Sequence, residues 1–425
     1  QEYRAQVYEV LQTRSFFRQN LSNQENLFRE WEMLKPPPRV GPLVGLKVLE
    51  LGHYIAGPFC TRLLADLGAE VIKVEPPGGD PIRGWGAHKH GHSVWFSLHG
   101  RNKLSVELDL KRETAVAEKL AARADVLVEN FRPGQLEKLG LGPSRLHALN
   151  PRLIIARISG YGQDGPYRDK PSFGAIGEAM GGLRHLTGYP GRTDLPPPRC
   201  GISIADDLAG LYGALGVLAA VYQRDLAGGG RGRVIDVNLV DSVFSLMEGM
   251  LAEYALDGRI RQPTGAGIPT AAPSNTYLCA DGKWLCIAGN SDPIFRRLMA
   301  AIGKAELAED PRFATNAGRC AHVEELDRII GAWCSGKTAK EAEEILSLAD
   351  VPASRLYDIA DCVADPHFRA RYSVLEVEDP LIGRTLHPGP AIRFDGDPPE
   401  TVISWPGPAV GAHNEYVRKV LLGEG

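Results

Sequence analysis

Several features that would mark common protein classes are missing from this chain. Its 425 residues contain seven cysteines, at positions 60, 200, 279, 286, 320, 334 and 362, and no Cys-x-x-Cys pair. An odd count without metal spacing suggests reduced thiols in a cytosolic protein rather than a disulfide framework or a structural zinc site. The first 30 residues mix Glu with Arg and lack an apolar h-region, against a secretory signal. No run reaches the roughly 18 apolar residues of a membrane span. The longest small-residue stretch, Leu208–Val221, is broken by Gly210, Gly213 and Gly216 and reads as a buried helix. The formal charge is −4 with no basic stripe, which disfavours a nucleic-acid partner. No Gly-x-Gly-x-x-Gly follows a strand, so a nicotinamide dehydrogenase lacks its fingerprint. The glycine-rich Leu226–Arg233 lacks the Lys-Ser/Thr of a phosphate loop and reads as a turn into a strand.

What is present is a globular composition, 44% hydrophobic and 24% charged, over a length that suits two or three domains. An N-terminal helical arm is expected over residues 1–40, with capping-box spacing at Ser22–Glu25, helically spaced Leu27, Phe28, Trp31 and Leu34, and a stop at Pro36–Pro38. From Gly41 strand and helix patterns alternate. Strands are expected at Lys47–Leu51, Glu70–Val74, Leu104–Leu110, Asp125–Glu129, Leu153–Ile158 and Val234–Val237, with helices at Gly57–Leu67 and Glu113–Ala122. Such alternation predicts an α/β fold with a doubly wound, Rossmann-like parallel sheet over residues 41–240. Its ligands should sit at the carboxyl ends of the strands, in the loops after Leu51, Val74, Glu129 and Ile158. A smaller α+β domain is expected over 241–365, with strands Thr276–Cys279 and Trp284–Ala288 and helices Asp292–Ile302, Val323–Trp333 and Ala339–Ala349. Residues 366–425 are rich in Pro and Gly and are expected to return to the large domain.

Three groups of residues could carry chemistry. His88, His90 and His92 alternate as on one strand face, but no fourth ligand is placed nearby, so a solvated loop is preferred to a metal site. His53 and Tyr54 follow the first strand, where function is expected. Asp206 and Asp207 precede the small-residue helix; either they cap it and favour its dipole, or one is a nucleophile at a helix N-terminus. Their spacing alone does not choose.

Seven segments in order resemble the family III CoA-transferases, which include the formyl-CoA:oxalate and carnitine enzymes and are related to the α-methylacyl-CoA racemases. They are Gly45–Phe59, Asp66–Trp85, Arg101–Lys111, Ala124–Leu141, Asn150–Tyr167, Ala205–Arg224 and Ser274–Asn290. The resemblance implies that Asp206 is the nucleophile. It would form a mixed anhydride with the acyl group and then an aspartyl-CoA thioester, which an incoming carboxylic acid attacks. CoA thioesters are then substrates, and no permanently bound cofactor or metal is implied. Matching positions suggest that His53, Tyr54 and Ile55 lie near the thioester, with Lys111 and Lys138 toward the nucleotide phosphates; Trp95, Asn102, Lys103 and Phe173 also match CoA- or substrate-binding positions. A family Arg and a family Lys are replaced by Pro76 and Pro171, with Arg83, Arg132 and Lys170 as substitutes. Gly265–Pro269 replaces the glycine-rich flap of the formyl-CoA enzyme, so oxalate is not implied as acceptor. The family also implies a ring-shaped chain interlocked in a homodimer.

Racemisation needs an acid–base group on each face of the α-carbon. Family racemases place a His where this chain has Phe173, and many transferases place Tyr and an acid where it has Phe173-Gly174; Glu178 is one turn on. A racemase is therefore the disfavoured alternative. A non-catalytic CoA-binding subunit of a hetero-oligomeric transferase is another. Arg184 and His185 could meet a second carboxylate of a diacid, or could simply lie on the surface.

Overall fold

A computed structural model of the chain describes residues 36–424. Of the arm expected over 1–40, all but residues 36–40 lies outside the described residues. The chain forms two compact units. One runs up to Gly174 and includes Ala205–Leu239 and the stretch from Leu375; the other comprises Ala175–Ile204 and Val240–Val374.

The first unit is built on six parallel strands: β1 (Lys47–Glu50), β2 (Glu70–Glu75), β3 (Lys103–Glu107), β4 (Val126–Glu129), β5 (Ile154–Ser159) and β6 (Val234–Asn238). Their order is β3-β2-β1-β4-β5-β6, so the strand sequence reverses between β1 and β4. At such a switch point the loops leave in opposite directions and open a crevice at the strands' carboxyl ends. The central strands are apolar without alternation, as a sheet covered on both faces requires; every residue of β4 and β5 is buried.

Helix α1 (Ala56–Asp66) follows β1, α2 (Val94–His99) precedes β3, α3 (Thr114–Arg123) follows β3, and α4 (Ile204–Asp225) precedes β6. By length and composition α4 could cross a membrane, yet its small residues pack against this unit. A Cβ on Gly210 would lie 2.8 Å from the Ala56 carbonyl oxygen, one on Gly213 3.0 Å from Ile158, and one on Gly216 3.0 Å from Ile235. Glycine at 210 is thus what lets α4 approach the start of α1.

The stretch from Leu375 is part of this unit. Asn102, at φ 60°, donates to the Val402 carbonyl at 2.7 Å and accepts from the Ser404 amide at 2.8 Å. The Ser105 amide donates to His413 Nδ1 at 3.1 Å.

In the second unit, strands β7 (Ser274–Leu278), β8 (Trp284–Ala288) and β9 (Ala353–Arg355) form an antiparallel sheet in the order β9-β8-β7. Helices Asp292–Ala301, Val323–Cys334 and Ala339–Leu348 contribute to its core, with Phe295, Leu298, Leu326, Ile330 and Leu346 packed on Leu285 and Ile287. One segment departs from the division expected above. Ala175–Ile204, placed in the large domain by its sequence position, belongs to the second unit. Gly181 abuts Val243, Gly182 abuts Met247, and Gly265 abuts Tyr189.

Candidate active site

At the β1/β4 switch point the two loops are tied together by a side chain that sequence reasoning passed over. Asn130, just after β4, accepts from the His53 amide and donates to the His53 carbonyl, both at 2.8 Å. Gly52 and Gly57 crowd the same Asn130 side chain. Tyr54 adopts φ 61°, and its amide donates to Asp80 Oδ1 at 3.1 Å. The loop is therefore pinned at two successive amides. Burial and the nearby Lys73 ammonium depress the His53 imidazole below its ordinary pKa, so it is neutral at pH 7.

Beneath this loop lies a buried ionic network from the ends of β1, β2 and the start of β3. Lys73 Nζ meets Glu50 Oε1 and Asp80 Oδ2, each at 2.7 Å, and the Gly52 carbonyl at 2.9 Å. Lys103 Nζ meets Glu50 Oε2 at 2.9 Å and the Pro58 carbonyl at 2.8 Å. Thr61 Oγ1 donates to Glu50 at 2.5 Å. Burial alone would raise the Glu50 carboxyl, but the pull of Lys103 and Lys73 holds it below its ordinary value. Burial brings Lys103 down to about 8. Arg83 pairs with Glu75 through two bonds of 2.7 Å. Through Pro58 and Thr61 this network joins α1 to the strands.

Among the described residues no side chain caps the α1 N-terminus, and Pro58 follows Ala56 and Gly57. Helix-end amides left this way are donors for an anion. Asp206 stands in the first turn of α4, one turn before Gly210, and therefore on the same helical face. Gly210 touches Ala56, Phe59 and Cys60, so the fold carries Asp206 toward the start of α1, roughly 5–6 Å further along that face. Asp207 is also partly buried, and burial raises its carboxyl to about 6, opposed by Arg62.

A partly buried aspartate, a helix start without a side-chain cap and a rigid loop now stand on one unit. The family described as CoA-transferase family III matches residues 43–414. The chain belongs to this family. It is 49% identical over 391 residues, 91% of this chain and 95% of the other, to a Chloroflexus aurantiacus protein named succinyl-CoA–D-citramalate CoA-transferase. It is 39% identical to the β subunit of that organism's succinyl-CoA–L-malate CoA-transferase, over 90% of this chain and 94% of the other. A CAIB/BAIF family protein from Brucella suis, solved by crystallography, superposes with a TM-score of 0.77 at 33% identity, covering 90% of this chain and 99% of that one.

Within this CoA-transferase the residues suggested for CoA fall into two groups. Tyr54 and Ile55 flank the pinned loop, and an aromatic cluster rises beside them. The Tyr54 ring lies 5.2 Å from Trp85 and 6.0 Å from Phe173, and Trp85 lies 6.1 Å from Trp95. Phe173 is 64% exposed and Trp95 39%, so this cluster can be reached by a ligand. Lys111 and Lys138 are exposed too. Asn102 and Lys103 are turned inward instead: Asn102 clamps the C-terminal stretch, and Lys103 serves the Glu50 network. In the second unit Glu178 is buried and accepts from Arg199 Nε at 2.9 Å, with Arg184 at 3.6 Å; His185 Nε2 lies 3.1 Å from the Arg261 carbonyl. His88–Lys89 and His92–Ser93 form a small antiparallel ladder. No group of His, Cys, Asp and Glu suited to a metal occurs among the described residues.

Proposed function

We propose that this CoA-transferase moves CoA from succinyl-CoA to a small dicarboxylic acid, with Asp206 as the covalent nucleophile. The observation that carries the reading is the placement of Asp206 on the α4 face that packs on the start of α1. An Asp206 oxygen attacks the thioester carbonyl carbon; the C–S bond breaks, leaving a mixed anhydride and CoA thiolate. The thiolate attacks the aspartyl carbonyl and expels the donor acid, giving an aspartyl-CoA thioester. The acceptor carboxylate attacks that carbonyl, forming a second anhydride and releasing thiolate. Attack of the thiolate on the acceptor's acyl carbon yields the new thioester and restores Asp206. Each tetrahedral intermediate places an oxyanion where the Ala56 and Gly57 amides can donate, and such donors act strongest where water is excluded. The exchanged bonds are alike in energy, so no nucleotide is consumed.

The choice of succinyl-CoA and a diacid rests on the names of the Chloroflexus relatives. The reading includes a homodimer, supported by the exposed Leu211, Leu215 and Tyr222 on the outer face of α4, and a cytoplasmic location, supported by seven free thiols. Phe173 offers no proton to an α-carbon, which supports transfer over racemisation. The experiment is one mass-spectrometric run in D₂O, with succinyl-CoA and a panel of mono- and dicarboxylic acids. New thioesters without α-deuterium are expected. Deuterium at the α-carbon with no new thioester would overturn the reading in favour of racemisation, and silence from the homodimer would favour the hetero-oligomeric alternative.

A further inference from the structure

The aromatic cluster beside Tyr54 contains two tryptophans that are exposed and yet held. Trp85 is 41% exposed and Trp95 39%, and every residue from Gly84 to Gly91 is exposed. A surface stretch of that kind is ordinarily loose. Here its base is clasped by Ser93, which is 5% exposed. Ser93 Oγ donates to the Trp85 carbonyl at 2.6 Å and accepts from the amides of Trp95 at 3.1 Å and Phe96 at 3.3 Å. A hydroxyl has one proton and two lone pairs, so all three are used, and the backbones of both tryptophans meet on one atom.

The Trp95 indole is seated by the same turn. A Cβ on Gly86 would lie 2.2 Å from Trp95 Cδ1 and 2.5 Å from Nε1, so the ring rests on bare backbone one residue beyond Trp85. Gly86 sits at φ 73°, where a side chain would be strained as well. From the other direction, Asp80 Oδ1 accepts from the Ile82 amide at 2.9 Å and the Tyr54 amide at 3.1 Å. The Trp85 amide then donates to the Ile82 carbonyl at 2.9 Å. The backbone of Trp85 is thus fixed on both sides.

We infer that Ser93 is a positioning residue for acyl-CoA binding: its hydroxyl sets the Trp95 ring against Trp85 as a rigid wall for the uncharged part of the ligand. Fixing rings that stay in water adds little burial to the fold. The gain comes on binding, because rings already in place lose no rotamer freedom when a ligand arrives. The ring faces carry no charge, and Arg83, the cation on the turn before Trp85, is bonded to Glu75. The wall therefore suits the thioester end of acyl-CoA rather than its phosphates. The inference rests on the reading that acyl-CoA binds beside this cluster.

The test is kcat and KM for succinyl-CoA, with circular dichroism and melting temperature recorded for every variant. Ser93→Ala should raise KM about ten-fold and leave kcat within about two-fold, because a loosened wall must be ordered on binding. Gly86→Ala keeps the Ser93 bonds but pushes the indole off its seat, and should raise KM as much; it carries the test if Ser93→Ala does not fold. The double variant Ser93→Ala/Trp95→Ala should lose little more than Trp95→Ala alone, since Ser93 acts through that ring. Thr315→Ala removes a helix cap in the second unit and should leave KM unchanged. Wild-type KM in Ser93→Ala or Gly86→Ala would overturn the inference. So would a loss carried by kcat alone, an equal rise of KM in Thr315→Ala, or losses that multiply in the double variant. Trp95→Ala separates the two readings: wild-type KM there would remove acyl-CoA from this cluster altogether, whereas a raised KM beside a normal Ser93→Ala would remove only the positioning role.

Discussion

Two sets of charges lie within a few residues of each other in this protein, and they are treated in opposite ways. At the ends of β1 and β2, Glu50, Lys73, Asp80, Glu75 and Arg83 are buried or nearly so, and each finds an opposite charge within 2.7 Å. Where α4 meets α1, Arg62 Nε has no hydrogen-bond partner among the described residues, and its salt-bridge partner stands at 3.6 Å. The first set is spent on shape: it fixes the loop after β1 through Gly52, Asp80 and the Tyr54 amide. The second set retains interaction energy that the fold has not consumed, and it adjoins the proposed nucleophile. Full pairing marks scaffold, and incomplete pairing marks the place where another group must act.

The largest test of this contrast strikes Asp206. Asp206→Asn should lower exchange by about 10⁴-fold or more, as removal of a covalent nucleophile does, while thermal stability and CoA binding persist. A loss of stability comparable to that of the network variants would erase the distinction. The next effect belongs to the scaffold. Glu50→Gln strips the counter-charge shared by Lys73 and Lys103 and should cost about 3–5 kcal/mol in urea unfolding. Its pH dependence has a definite direction. The Glu50 pKa is lowered in the fold, so its contribution is present above the ordinary carboxylate pKa and is lost as pH falls through the folded value. The gap between wild type and Glu50→Gln should therefore narrow in acid.

Much of the scaffold was legible in the sequence because strands buried on both faces announce themselves locally. The expected Glu70–Val74, Asp125–Glu129 and Leu153–Ile158 correspond to strands at Glu70–Glu75, Val126–Glu129 and Ile154–Ser159. Pattern could not show which loops meet. Asn130 binds His53 across 77 residues, and no local signal distinguishes that Asn from a loop residue. Lys103 was expected at a CoA- or substrate-binding position, and no local signal tied it to Glu50; the parallel pairing of β2 with β3 brings the two together. Ala175–Ile204 misled for a related reason: it lies between two parts of the first unit in the chain but belongs with residues from 240 onward.

A smaller effect probes the join between the two sets. Gly210→Ala would set a methyl 2.8 Å from the Ala56 carbonyl oxygen, a backbone atom that cannot step aside. It should cost about 1–3 kcal/mol as overpacking does, and lower kcat by moving the first turn of α4. Gly216→Ala is the matched control. Its new methyl would meet a side-chain atom of Ile235 at 3.0 Å, which can shift its rotamer, so less than about 1 kcal/mol is expected. Equal losses of activity from the two would mean that approach of α4 to α1 does not aim Asp206.

The smallest effect is a slope. Burial raises the Asp207 carboxyl to about 6, above its ordinary value near 3.9. The folded protein therefore binds this proton more tightly than the unfolded chain does. Stability from that site is complete below about pH 4 and declines as pH rises toward 6, in the direction opposite to Glu50. Asp207→Asn removes the dependence. Its melting temperature relative to wild type should rise between pH 4 and 7, by a few degrees at most because the group is partly solvated. That upward drift would show that ionising Asp207 costs the fold some stability. A difference that stayed flat, or drifted downward, would place Asp207 with the fully paired charges of the scaffold and remove the contrast between the two sets.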